Sequence, residues 1–120
     1  MLKKILIVDD ERPLAKALEL KLGHEDFEAH AVFNGTEAIH ALKKDKFDLV
    51  LLDLIMPEED GFSVLEQIVK LKIKTSVIVS SNLSQQEDLE RAKSLGAIDY
   101  FVKSDTTLAE IVEKVKQHLG

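Results

Sequence analysis

Five short aliphatic runs alternate with five stretches of helical periodicity along this chain, and that alternation restricts the fold more than any other feature. Lys4 to Val8, Glu28 to Val32, Asp48 to Leu52, Ser76 to Ser80 and Ile98 to Val102 read as strands. The first helix is expected from about Pro13 to Leu22, with Pro13 in its first turn, Leu14, Leu18 and Leu22 on one stripe, and Gly23 as the stop. A second opens near Thr36 as cap and presents Ala38, Ile39 and Leu42. Phe62, Leu65 and Val69 space a third, Leu89 and Ala92 a sparse fourth, and Leu108, Ile111, Val112, Val115 and Leu119 a fifth. A helix between two strands returns the chain to the starting edge in a right-handed crossover, so five such repeats call for a parallel sheet. The runs ILIV, LVLL and VIV are apolar throughout, as strands covered on both faces must be. The expected architecture is a three-layer α/β/α sandwich around one five-stranded sheet.

At 120 residues and 45% hydrophobic content, the chain can bury one core but hardly two, which gives a single domain over residues 1–120. The absence of cysteine removes disulfides, thiolate zinc sites and cysteine nucleophiles, and fits a reducing compartment. MLKKILIVDD carries too few apolar residues before its aspartates for a secretory or membrane-spanning segment, so a soluble cytoplasmic protein is expected. A formal charge of -6 disfavours direct nucleic-acid binding, which depends on clustered lysine and arginine. His24, His30, His40 and His118 show no metal-ligand spacing.

All strands of a parallel sheet end on one edge, so residues far apart in sequence meet there, and that edge is where ligands bind. The strand-ending residues are Asp9 and Asp10, Asp53, Ser80 and Ser81, and Lys103; strand two ends in Phe33 and Asn34 and adds nothing comparable. Clustered aspartates repel, so one takes up a proton or the group recruits a cation. An all-oxygen ligand set suits Mg²⁺, which keeps several waters and prefers phosphate oxygens as further partners. Carboxylates also accept phosphoryl groups, with a metal neutralising the approach of one anion to another. Asp53, alone on its strand, is the candidate acceptor. Asp9 and Asp10 are the pair best placed to hold metal, and Lys103 and a serine hydroxyl are candidates to bind phosphoryl oxygens.

LIVDD at the first strand, DLVLLDLIMPEEDG around Asp53, a hydroxyl residue closing the fourth strand and GAIDYFVK before the lysine together resemble the receiver domain of two-component response regulators, over essentially the whole chain. The resemblance implies a flavodoxin-like sheet in the order 2-1-3-4-5, as in stand-alone chemotaxis receivers. It implies that Asp53 accepts phosphate from a phosphohistidine on a sensor histidine kinase or phosphotransfer protein. Asp10 and Asp53 would ligate Mg²⁺ by side chain, Ile55 by its backbone carbonyl and Asp9 mainly through water, while Lys103 pairs with the phosphoryl group. The family's spacing of fifteen residues between its switch hydroxyl and the glycine of Gly-Ala points to Ser81, with Gly96 as the second anchor. Ser80 is then the core-facing neighbour, and Tyr100 falls at the switch aromatic. The implied role is that of a phosphoacceptor that assists only its own phosphorylation and dephosphorylation, is not otherwise an enzyme, and acts on a downstream protein target as a monomer or weak phosphorylation-dependent homodimer.

Each residue alone has a plainer role: Asp9 and Asp10 as helix caps, Asp53 as the start of a turn, Ser81 as a local hydrogen-bonding residue, Lys103 as a solvated strand end, and Tyr100 as packing. It is their ordered combination that favours the phosphoacceptor. Two positions depart from the family pattern: Ser104 follows Lys103 where proline is usual, which disfavours a cis peptide there, and Asn82 replaces a small residue after Ser81. They keep open a pseudo-receiver, an interaction module that is never phosphorylated. Ile55 and Leu83 are both apolar, which predicts poor water access and a slowly decaying phosphoryl group. A haloacid-dehalogenase-like phosphatase would want an acid where Ile55 stands, and DDERP would repel a flavin phosphate. The chain is expected either to act through protein contacts alone or to be a piece of a longer regulator.

Overall fold

The computed structural model describes residues 2–56, 60–81 and 86–119; Pro57, Asn82 and Leu83 lie outside them. Five strands, β1 (Lys4–Val8), β2 (Glu28–Val32), β3 (Leu49–Asp53), β4 (Ser76–Ser81) and β5 (Asp99–Val102), pair in parallel in the order β2-β1-β3-β4-β5. Helices α1 (Arg12–His24), α2 (Gly35–Lys44), α3 (Gly61–Lys70), α4 (Gln86–Ser94) and α5 (Leu108–Leu119) connect and cover them, and a 3-10 turn, Lys103–Asp105, follows β5.

Alternation along the strands divides the core in two. Leu6, Val8, Val50, Leu52, Val77 and Val79 face one way, against Ala38, Ile39 and Leu42 of α2, Phe62, Leu65 and Ile68 of α3, and Ala92 of α4. Ile5, Ile7, Leu49, Leu51, Ile78 and Phe101 face the other way, against Ala15, Leu18 and Leu22 of α1 and Ile111, Val112 and Val115 of α5. The three layers and the sheet order are those expected.

Four details correct the sequence reading. Asp53 and Ser81 are the last residues of their strands, not the first beyond them, and β5 opens at Asp99. The cap of α2 is Asn34, not Thr36: Asn34 Oδ1 accepts from the Glu37 amide at 2.8 Å while Glu37 Oε1 accepts from the Phe33 amide at 2.9 Å, so one side chain answers the other across the first turn. Gly23 does not stop α1, which runs on to His24. Asp26 makes the turn at φ 67, with the Phe27 amide donating to the Leu22 carbonyl, and aspartate tolerates that conformation better than most residues. Val69 is 59% exposed, because the buried stripe of α3 runs through Gly61, Val64, Leu65 and Ile68, one position around the helix.

Candidate functional site

Parallel pairing sets β1, β3 and β4 side by side with their carboxyl ends level, and in that register Asp53 stands opposite Ser80. Asp9 follows β1 directly, its amide donating to the Val32 carbonyl at 3.2 Å. Lys103 enters from the turn after β5 and reaches across the edge. Its Nζ lies 2.9 Å from Asp9 Oδ2, 2.9 Å from Glu11 Oε1 and 3.3 Å from Asp53 Oδ2. Its side chain is only 4% exposed, so it is not the solvated strand end that a lone lysine would suggest.

The acids are held as well as paired. Asp9 Oδ1 accepts from the Glu11 amide at 2.9 Å, and Asp53 Oδ1 accepts from the Ile55 amide at 3.2 Å. Beneath Asp53 the chain passes against itself: the Gly61 amide donates to the Leu54 carbonyl at 2.8 Å, and a Cβ at Gly61 would lie 2.5 Å from the Asp53 carbonyl oxygen and 2.7 Å from Leu54 Cα. Only glycine permits that approach, and it fixes the loop against the strand end that carries Asp53.

Burial disfavours ionised carboxyl groups. Burial pushes the Asp53 carboxyl up to about 7, against the pull of the Lys103 charge and with further push from Asp9. Asp9 is also raised by burial, which its bonds to Lys103 and to the Glu11 amide only partly offset. For Lys103 burial opposes the charge, but hydrogen bonds to Asp9 and Glu11 and the charges of Asp53 and Asp9 outweigh it and hold the ammonium above its ordinary range.

Asp9, Asp10 and Asp53 each offer a carboxylate oxygen, and these three lie within 4.8 Å of one another. Neighbouring ligands on one octahedral Mg²⁺ stand about 3 Å apart and opposite ones about 4.2 Å, so side-chain adjustment of less than about 1 Å brings this set onto one ion. The hard, all-oxygen donors fit that ion. Asp10 is the most open of the three and Asp9 and Asp53 are buried, which suits an ion that keeps part of its water shell.

The remaining expected residues are distributed around this centre. Ser81 closes β4, buried and opposite Val102 in register. Ser80 faces the interior, lining with Asp9, Lys103 and Phe101 a void of about 20 Å³. Tyr100 is 38% exposed, on the face of β5 opposite to Phe101. The Ile55 side chain is 54% exposed. The Lys103–Ser104 peptide is trans, as are all peptide bonds among the described residues. Two residues escape the sequence reading. Glu11 shares Lys103, and its signal is the third acid of DDE; Gly61 carries the close contact, and its signal is a glycine that directly opens a helix.

The family of response regulator receiver domains matches the chain over residues 5–116. Among solved structures, the response regulator TrrA of Thermotoga maritima, in complex with Mg²⁺-BeF, is 34% identical with a TM-score of 0.83, the alignment covering 97% of this chain and 98% of that one. The signal receiver domain of a putative Luxo repressor protein from Vibrio parahaemolyticus is 27% identical, TM-score 0.92, with 99% and 91% covered. A CheY-like receiver domain protein from Methanospirillum hungatei is 26% identical, TM-score 0.90, with 98% and 93% covered. With the family matched over residues 5–116 and the same fold aligned over nearly the whole chain, the chain belongs to the response regulator receiver domains of two-component systems.

Proposed function

We propose that Asp53 accepts a phosphoryl group from a phosphohistidine on a sensor histidine kinase or phosphotransfer protein, and that the change this causes at the edge of the sheet alters binding to a downstream protein. The observation that carries the reading is the meeting of a buried Asp53 with Lys103 at 3.3 Å, in a cluster where Asp9 and Asp10 supply further carboxylate oxygens. Asp53, Asp9, Asp10 and the Ile55 carbonyl would hold Mg²⁺, whose charge when bound offsets the repulsion between carboxylate and phosphate. An Asp53 oxygen forms the O–P bond of an acyl phosphate as the N–P bond of the donor breaks, and the departing imidazole keeps that electron pair. The Lys103 charge partly offsets the burial that disfavours ionised Asp53, favouring the carboxylate that attacks, and Lys103 then pairs with a phosphoryl oxygen. That the Thermotoga maritima relative is in complex with Mg²⁺-BeF supports the reading that this chain uses Mg²⁺ as well.

The signal would travel through Ser81 and Tyr100. A phosphoryl group adds about two negative charges, and hydrogen bonds to charged groups contribute roughly 1.5 to 3 kcal/mol each. Driving a two-state equilibrium from 1:99 to 99:1 takes about 5.5 kcal/mol, so bonds from Ser81, Lys103 and a backbone amide are enough to supply most of it. Ser81 moves toward the phosphoryl group, Tyr100 turns inward from its exposed position, and the face of α4, β5 and α5 changes for its partner. Mass spectrometry after incubation with acetyl phosphate and Mg²⁺ tests the first step. The expected result is one phosphoryl adduct on the wild type and none on Asp53→Ala; a wild type that takes up none would instead be an interaction module.

A further inference from the structure

At the opposite edge of the sheet, where β3 and β4 begin, lies a second concentration of charge of the other sign. The end of α2 and the loop after it read KKDK, the end of α3 and its turn read KLKIK, and the fold brings the two together around a recess of about 490 Å³. Lys43, Lys44, Lys46, Lys72 and Lys74 line it, with Asp45 the one acid among them. All five lysines are exposed, and none forms an ion pair among the described residues, although the chain has 22 acids for 16 bases. Asp45 is turned to another cation, Lys4, at 3.9 Å. The carboxyl ends of α2 and α3 face this edge, but a helix end carries only about half a charge, and two of them do not balance five ammonium groups.

A second observation comes from the turn that ends α3. The Ile73 amide donates to the Ile68 carbonyl at 3.0 Å and the Lys72 amide to the Val69 carbonyl at 3.1 Å, which places Lys72 at the left-handed position of this helix stop, at φ 55. Glycine is the usual occupant there. α4 ends in the same hydrogen-bond pattern, Ala97 to Ala92 and Gly96 to Lys93, and there the residue is Gly96 at φ 107. At the end of α3 the chain accepts the strain of a side chain in that conformation, and the side chain it keeps is a fifth lysine on the recess.

From these features we infer that the recess binds a small polyphosphorylated ligand of the nucleoside polyphosphate class, with its phosphates on the lysine rim and its ring over the apolar floor of Leu42, Phe47 and Ile73. The volume is that of a small-molecule site. Lysines on flexible stems act as point charges for phosphate, without the planar fork that arginine offers. The site lies one strand length, about 16 Å, from Asp53 and needs neither phosphorylation nor metal.

The test uses the unphosphorylated chain in EDTA and low salt, with GTP, inorganic triphosphate and guanosine titrated separately and followed by amide chemical shifts. GTP is expected to bind saturably with shifts centred on residues 42–47 and 71–74, more tightly than triphosphate, and guanosine not at all. Lys46→Glu/Lys72→Glu/Lys74→Glu should weaken GTP about tenfold or more. Lys72→Gly should weaken it less while raising the melting temperature, since it relieves the left-handed turn. Absence of saturable GTP binding, binding unchanged in both variants, or triphosphate binding as tightly as GTP would each overturn the assignment. A poly-glutamate peptide that outcompetes GTP at these residues would mark the face as a protein-docking surface and overturn it as well.

Discussion

At Asp53 burial and Lys103 pull in opposite directions, and burial prevails: the carboxyl titrates at about 7 against an ordinary 3.8. Because the folded-state value lies above the unfolded one, Asp53 contributes stability below about pH 4 that is lost as pH rises through about 7. In metal-free buffer, Asp53→Asn is therefore expected to stabilise the fold by about 1 to 3 kcal/mol near pH 8 and by less than about half of that near pH 5, as read from urea unfolding. A benefit that did not change with pH would show that ionisation of Asp53 is not its source. The same proton competes with metal, so calorimetric Mg²⁺ affinity should climb about tenfold per pH unit up to about 7 and then level off. Asp9, Asp10, Asp53 and Lys103 are legible in the sequence because each stands at the end of an apolar run and parallel strands end together. Glu11 is not, since its meeting with Lys103, 92 positions away, depends on which way one long side chain crosses the edge.

Between elements, Gly61 shows how a loop position sets the geometry of a strand end. An alanine methyl there would stand 2.5 Å from the Asp53 carbonyl oxygen, and neither that atom nor Leu54 Cα is a flexible tip that can swing aside. Gly61→Ala should cost about 2 to 3 kcal/mol in urea unfolding and loosen the placement of Asp53. A cost below about 0.5 kcal/mol would mean that the loop yields freely. Element existence was readable throughout, from apolar runs and helical spacing, while boundaries were not. The stop of α1 depends on Asp26 adopting φ 67, and the start of α2 on Asn34 and Glu37 each bonding the other's neighbourhood, and neither leaves a mark on hydrophobic periodicity. Val69 misleads for a related reason: it is as apolar as Ile68 and sits one place away, so only packing separates them.

For the whole molecule, periodicity yields the layers but not the order of the strands, which came with the resemblance to receiver domains. Nor does it rank the helices by how firmly they are held. Leu89 and Ala92 are buried and Leu95 partly so, a short apolar anchor for α4 beside those of α3 and α5. Beryllofluoride with Mg²⁺ should accordingly change amide exchange around residues 84 to 95 more than in α2, and an unchanged profile there would refute transmission through that helix. Among the described residues no helix is long and apolar enough to cross a membrane.

The covering of one sheet face by both α1 and α5 has a bearing on how the chain is made. Ile5, Ile7, Leu49, Leu51 and Ile78 all precede Ile111, Val112 and Val115, which close over them. A ribosome that has translated no further than residue 107 therefore carries a sheet with half of one greasy side still bare, a surface for chaperones or for sticking to its neighbours until Leu108–Leu119 emerge.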